Sequence, residues 1–299
     1  MSVAVPAEER RRRAPGLGLL REIARRPSGL FGLVVVAVLF IMVVFAPLVA
    51  PQSPSDQDIV NRLQGPSADH LLGTDELGRD LLSRVIFGTR VALGVAFPGV
   101  VGALLIGLVI GTIAGYVGGK VDTVLLTLMD TLQAFPAVIL ALVLVSVLGA
   151  SLRNVILVIV VSFTPGYARV ARALVLQTKE NPYIEAERSL GAGGLRILTV
   201  HILPNIVAPL FILLAMDLPT AITVEAGLSF LGAGVQPPTP SWGVILADGF
   251  SRVRDTPWPV ISAGGALMIT TLGFTLLGET LRDIIDPRVA GLKRWRRAV

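Results

Sequence analysis

Four stretches of this 299-residue chain lack Asp, Glu, Lys and Arg for more than 20 consecutive residues: Leu30 to Ala50, Val91 to Gly119, Thr131 to Leu152 and Thr256 to Gly278. A bilayer's hydrocarbon core is about 30 Å thick and takes about 20 apolar residues of helix to cross. A soluble helix needs a polar face, and runs of this length leave none. Two weaker runs complete the pattern. Asn154 to Ala168 can extend through the aliphatic stretch to Leu176, and Ile206 to Leu231 is interrupted only by Asp217 and Glu225. The chain is therefore expected to be an all-α polytopic membrane protein with six transmembrane helices. Its composition agrees, with 53% hydrophobic and 16% charged residues against about a quarter charged in a soluble domain.

The first apolar run follows a basic segment, as a secretory signal would. Its 21 residues exceed a signal core, and Val49-Ala50-Pro51 is a poor cleavage site, so the expectation is a retained anchor helix. Cysteine is absent, which removes thiolate chemistry and cysteine-based metal sites from the possibilities.

The basic residues set the expected orientation. Seven Arg lie in residues 1–29, Lys120 follows the second run, five Lys or Arg lie between Gly166 and Pro204, and six follow Leu281. These are 19 of 26, and placing them inside puts both termini in the cytoplasm. The same placement explains the net charge of +5 by membrane anchoring, with no nucleic acid as partner. The resulting division is a cytoplasmic basic tail 1–28, a first transmembrane helix 29–50, an extracytoplasmic segment 51–90, a five-helix core 91–281 and a cytoplasmic tail 282–299. A membrane that the chain crosses several times is the expected location.

Within the core, Ala103, Gly107, Gly111 and Gly115 recur every four residues, a small-residue stripe that lets two helix backbones approach in lipid. Pro136 predicts a kinked or broken start to the third span. The segment 177–204 predicts a short helix capped by Asn181 and opened by Pro182, a turn through Gly191 to Gly194, and a second short helix ending near Leu203-Pro204. On an inner face such a pair is a docking element or a linker.

Asp217 and Glu225 lie inside the fifth run, where an ionisable residue costs about 2.5–3.5 kcal/mol on insertion scales. Eight residues apart, they sit about 80° and about 12 Å from one another on a helix, with Pro219 between them. They are candidates for lining a translocation path; the alternative is that each is protonated or hydrogen-bonded to a neighbouring helix. No phosphate-binding Gly-x4-Gly-Lys-Ser/Thr loop, His-Glu-x-x-His pair or Gly-x-Ser-x-Gly elbow occurs, so the chain is expected to be neither an ATPase nor another enzyme of those classes. His70 and His201 fall on opposite sides of the predicted membrane, so no metal site is expected.

The order Glu185-Ala186, Gly191, Leu203-Pro204 resembles the EAA signature of ABC-importer permease subunits. Glu187 stands where that family usually has a second Ala, and His201 where it usually has Ile. His70 to Asp80, Gly227 to Gly243 and Leu281 to Arg288 are similar to segments of the C-type permeases of the dipeptide, oligopeptide and nickel importers. The resemblance implies a type I importer permease whose loop residues Glu185, Ala186, Gly191, Leu203 and Pro204 dock on an ATPase. It further implies a second homologous permease, two ATPase subunits holding ATP and Mg, an extracytoplasmic substrate-binding protein, and short peptides as cargo. No cofactor is expected in this chain. Alternatives are an importer of nickel or another small solute, and an ion-coupled secondary transporter using Asp217 and Glu225.

Overall fold

The computed structural model describes residues 15–285, and its elements are helical throughout. The only extended pairing among them is an isolated bridge between Thr74 and Asp80. In chain order the helices are α1 (Pro15–Ala24), α2 (Pro27–Val49), α3 (Leu81–Val117), α4 (Gly119–Gln133), α5 (Ala137–Leu148), α6 (Leu152–Lys179), α7 (Pro182–Ser189), α8 (Gly194–Arg196), α9 (Leu203–Phe230), α10 (Trp242–Ser251) and α11 (Trp258–Ile285). Residues 1–14 of the basic tail and the Asp286-Pro287-Arg288 motif lie outside the described residues.

Five unbroken helices are long and apolar enough to cross a bilayer: Pro27–Val49, Leu81–Val117, Leu152–Lys179, Gly194–Phe230 and Trp258–Ile284. The expected third span is not one straight helix. The chain turns by 88° between α4 and α5, with Pro136 at the cap of α5, so that the candidate for a sixth crossing is a bent pair of helices. A proline ring cannot continue the preceding helix and it supplies no N–H, which places the break where the sequence puts it. A second departure concerns α3, which begins ten residues before the charge-free run. Asp80 caps it by accepting from the Ser83 backbone N–H at 2.8 Å and the Ser83 hydroxyl at 2.7 Å.

The small-residue stripe is where α3 meets α6. A Cβ added at Gly107 would strike Tyr167, one at Gly111 the Ala168 carbonyl, and one at Gly115 the Arg172 carbonyl and Val175. Each glycine thus faces the next turn of α6, and the two backbones close to a distance that alanine would not permit. Around this pair, α9 packs on α3, α6 and α11, and α2 packs on α11, where Gly32 and Gly273 allow the approach.

One end of the bundle gathers the start of α2, the end of α11, the end of α3 and the α7 loop: Arg26 pairs with Asp283 at 3.2 Å, and Lys179 Nζ donates to the Tyr116 carbonyl at 2.9 Å. The other end carries residues 50–80 and α10. The two ends of the described chain therefore lie on the same side as the α7 loop.

Candidate functional site

The α7 loop is built around one buried side chain. Ile184 has no solvent exposure and joins Val175, Ile197, Ile202 and Ile206 in a small apolar cluster. Its neighbours in sequence face out: Glu185, Ala186, Tyr183 and Leu190 are exposed, as are Leu195 and Val200 beyond the turn. Exposed leucines on such a turn form an apolar patch of the kind that marks an interaction surface.

The turn itself follows from Gly191. Its φ of +83° is open to glycine and strained for other residues. In that geometry the Gly191 N–H donates to Arg188 O at 2.9 Å and the Ala192 N–H to Glu187 O at 3.0 Å, the paired bonds of a Schellman stop. Pro182 opens α7 as expected. Asn181 occupies the cap position but does not cap with its side chain, which instead donates backward to Thr178 O at 3.0 Å.

The second short helix expected to end near Leu203-Pro204 is not a separate element. From Gly194 the chain runs through α8 and a π turn over Ile197–Ile202 straight into α9. Leu203 N–H donates five residues back to Leu198 O, and Pro204, which has no N–H, stands where the π turn passes into α9. Leu203 and Pro204 are thus at the joint between loop and spanning helix, and the distal part of the same helix carries Asp217.

His201 and Glu187, the two positions that depart from the EAA pattern, face one another: Nε2 lies 3.6 Å from Oε1, with the Tyr183 ring 6.3 Å from the imidazole. This contact links α7 to the π turn. Residue spacing alone does not reveal it, because it depends on the fold-back at Gly191.

Asp217 is half-buried on α9, and its carboxyl interacts with the Tyr167 hydroxyl of α6, a buried group with no hydrogen bond of ordinary length. Tyr167 was not singled out by sequence reasoning; its signal was being a lone phenol inside an apolar span next to Pro165-Gly166. Glu225 lies elsewhere. It has no exposure, accepts from the Ser229 hydroxyl at 2.8 Å and approaches Ser241 at the start of α10. The two carboxylates are therefore on one helix but in different surroundings, with Asp217 the more accessible.

At the other end a buried ionic network organises residues 61–84 and α10. Asp75 accepts from the Leu77 and Arg79 backbones at 2.9 and 3.0 Å and from Arg79 Nε at 2.6 Å. Arg84 Nη1 lies 3.2 Å from the same carboxylate, and both arginines come within 3.8 Å of Asp248 on α10. Burial pushes the Asp248 carboxyl up from its ordinary range, against the pull of Arg84. His70 Nδ1 sits 3.1 Å from Asp80 Oδ1, at the opposite end of the bundle from His201. Trp242 locks α10 to α3, its indole N–H donating to Val85 O at 3.0 Å.

Among the described residues no cluster of three or more potential metal ligands occurs.

Comparisons with known proteins give the family of the chain. Residues 107–291 match the family described as binding-protein-dependent transport system inner membrane component, and residues 18–66 match the N-terminal TM domain of oligopeptide transport permease C. The chain is similar to the dipeptide transport system permease protein DppC of Alkalihalophilus pseudofirmus, at 36% identity over 92% of this chain and 91% of that protein. It is 38% identical to the di/tripeptide transport system permease protein DppC of Pseudomonas aeruginosa, over 90% and 91%, and 36% identical to the glutathione transport system permease protein GsiD of Escherichia coli, over 93% and 92%. Its fold matches a chain of the MetNI methionine ABC transporter in inward-facing conformations with a TM-score of 0.57 and 19% identity, covering 69% of this chain and 97% of that one. Residues 107–291 include the α4–α5 pair, the α7 loop and α9. The chain is a multi-pass protein of the bacterial plasma membrane and belongs to the family of inner membrane permease components of binding-protein-dependent ABC transport systems.

Proposed function

We propose that this chain is the permease subunit of a peptide importer, with short peptides delivered by an extracytoplasmic binding protein. The relatives named for dipeptide, di/tripeptide and glutathione transport support peptide-like cargo. The importer contains a second homologous permease and two ATPase subunits, which supply ATP and Mg. The α7 loop faces the cytoplasm, together with both chain ends, as the basic residues favour.

One observation carries the mechanism: Ile184 of α7 packs with Ile197, Ile202 and Ile206 of the continuous helix from Gly194 to Phe230. Glu185, Ala186 and the exposed Leu190 engage the ATPase, while Ile184 holds α7 to the bundle. When ATP draws the ATPases together, displacement of the loop passes through Leu203 and Pro204 into α9. Asp217, lying further along α9, then changes its position relative to Tyr167 and the path between the two permeases. ATP and loaded binding protein act as ligands with different affinities for the inward- and outward-open states, and this difference drives the cycle. Asp217 offers a peptide ammonium group an acceptor on that path; Glu225, enclosed by Ser229 and α10, would reach the path only after repacking.

The test is uptake of a labelled dipeptide by the reconstituted complex with its binding protein. ATP-dependent uptake that stops when the ATPases are inactivated is the expected result. Uptake that persists without ATP hydrolysis and follows a proton gradient would overturn it in favour of ion-coupled transport.

A further inference from the structure

A groove of about 480 Å³ runs between α2, α3, α9 and α11, walled by Phe40, Leu93, Gly94, Phe97, Leu218 and Phe274, with Arg90 on its rim. The placement of Arg90 has a backbone cause. Pro47 in α2 has no N–H to give the Val43 carbonyl four residues earlier, and the chain leaves helical geometry at Phe45, with φ −106° and ψ 18°. Arg90 Nε donates to that Val43 carbonyl at 2.6 Å and Nη2 donates to Val44 O at 3.1 Å. Its guanidinium carbon also lies 5.6 Å from the centroid of the Phe87 ring. All of these partners are neutral, and among the described residues Arg90 has no ion pair. The cation is fixed in place, half-exposed, and lacks an anion.

We propose that this groove binds one phospholipid, its acyl chain lying along Phe40, Phe97 and Phe274 and its phosphate accepting hydrogen bonds from Arg90. The depth fits: Arg90 immediately precedes the charge-free run of α3, and Val43 lies six residues, or about 9 Å, short of the end of α2. An arginine at that level reaches the headgroup zone with its charged end while its stem stays in hydrocarbon. Guanidinium and phosphate are matched in both charge and hydrogen-bond geometry. A helix from a second permease would fill the apolar walls equally well but would leave the guanidinium a buried, unpaired charge unless it carried an acid at that level, whereas a phospholipid brings its phosphate with it. The site belongs to the leaflet at the end of the bundle opposite the α7 loop.

The experiment uses the assembled importer, stripped of lipid by detergent exchange, titrated with palmitoyl-oleoyl phosphatidylglycerol and followed by native mass spectrometry. One phosphatidylglycerol retained per copy of this chain is expected, with retention falling about fivefold or more in Arg90→Gln. Because Arg90→Gln also frees two carbonyls of α2, Gly94→Leu provides an independent variant. A Cβ at Gly94 meets nothing within 4 Å, and leucine is the better helix former, so the side chain fills the groove without disturbing the bundle. Gly94→Leu should lose the lipid while keeping the thermal transition of the parent. Full retention in Gly94→Leu, or no retention in the unaltered complex, would overturn the site; so would a photo-crosslinking residue at Phe97 reacting with a second permease instead of lipid.

Discussion

Arg84 and Asp75 meet at 3.2 Å at the head of α3, where the side chains are only 2% and 3% exposed. Arg79 shares the same carboxylate at 2.6 Å, so one acid answers two buried guanidiniums. Removing one partner of a buried pair leaves an uncompensated charge and costs about 3–5 kcal/mol. Asp75→Asn is therefore expected to lower thermal stability sharply and detach residues 61–80 from α10. Asp248→Asn should cost far less, because that carboxylate is 30% exposed, stands 3.8 Å from both arginines and is disfavoured as an anion by its own burial. Thermal unfolding of the two variants in detergent checks the ranking; equal losses would refute it.

Gly191 closes α7 with φ at +83°, and its N–H is bonded to Arg188 O. Proline fixes φ near −65° and removes that N–H, so Gly191→Pro cannot form the turn. Membrane insertion should remain near the parent, since Gly191 lies in the loop between α7 and α8, outside the membrane-crossing helices. ATP hydrolysis by the complex is expected to continue with little or no peptide uptake. Coupled uptake at the parental rate would remove α7 from the docking role.

Glu187 and His201 form a contact across the fold-back of the loop, at 3.6 Å and about one-third exposed or less. Partly exposed pairs are worth about 0.2–1 kcal/mol. A double-mutant cycle with Glu187→Ala and His201→Ile, measured by unfolding with the imidazole protonated, should give a coupling in that range. Additive effects of the two substitutions would show that the side chains act independently.

Gly111 faces the Ala168 carbonyl across the α3–α6 contact, too close for any Cβ. Gly111→Leu must push the helices apart, and overpacking of this kind costs about 1–3 kcal/mol or more. A lower melting temperature and reduced recovery of the assembled complex are expected. Gly94→Leu on the open side of the same helix should change neither, and it serves as the matched control.

Asp217→Asn retains the volume of the side chain beside Tyr167 but removes the charge available to a passing ammonium group. Transport should fall severalfold with ATPase activity intact. Unchanged dipeptide uptake would assign Asp217 a structural role beside Tyr167.

The membrane-spanning character of the chain was fully legible in its sequence, because a charge-free run longer than 20 residues has no stable place in water. Local chemistry also fixed the stop at Gly191, the start at Pro182 and the break at Pro136, each of which depends on a single residue's backbone limits. The small-residue stripe predicted a close helix contact but could not name α6 as the partner.

Tertiary structure decided what distant residues do together. Ile197, Ile202 and Ile206 pack with Val175 and Ile184 where the chain continues from Gly194 through the π turn into α9, whereas local capping and turn rules placed an end near Leu203-Pro204. Asp217 and Glu225 looked alike as isolated acids in an apolar run, yet α6 gives one a tyrosine neighbour while α10 encloses the other. The charges of residues 75–84 read as a polar segment until the fold brought Asp248 to them. A sequence states the local cost of each charge in a membrane; only packing supplies, or withholds, the partner that offsets it.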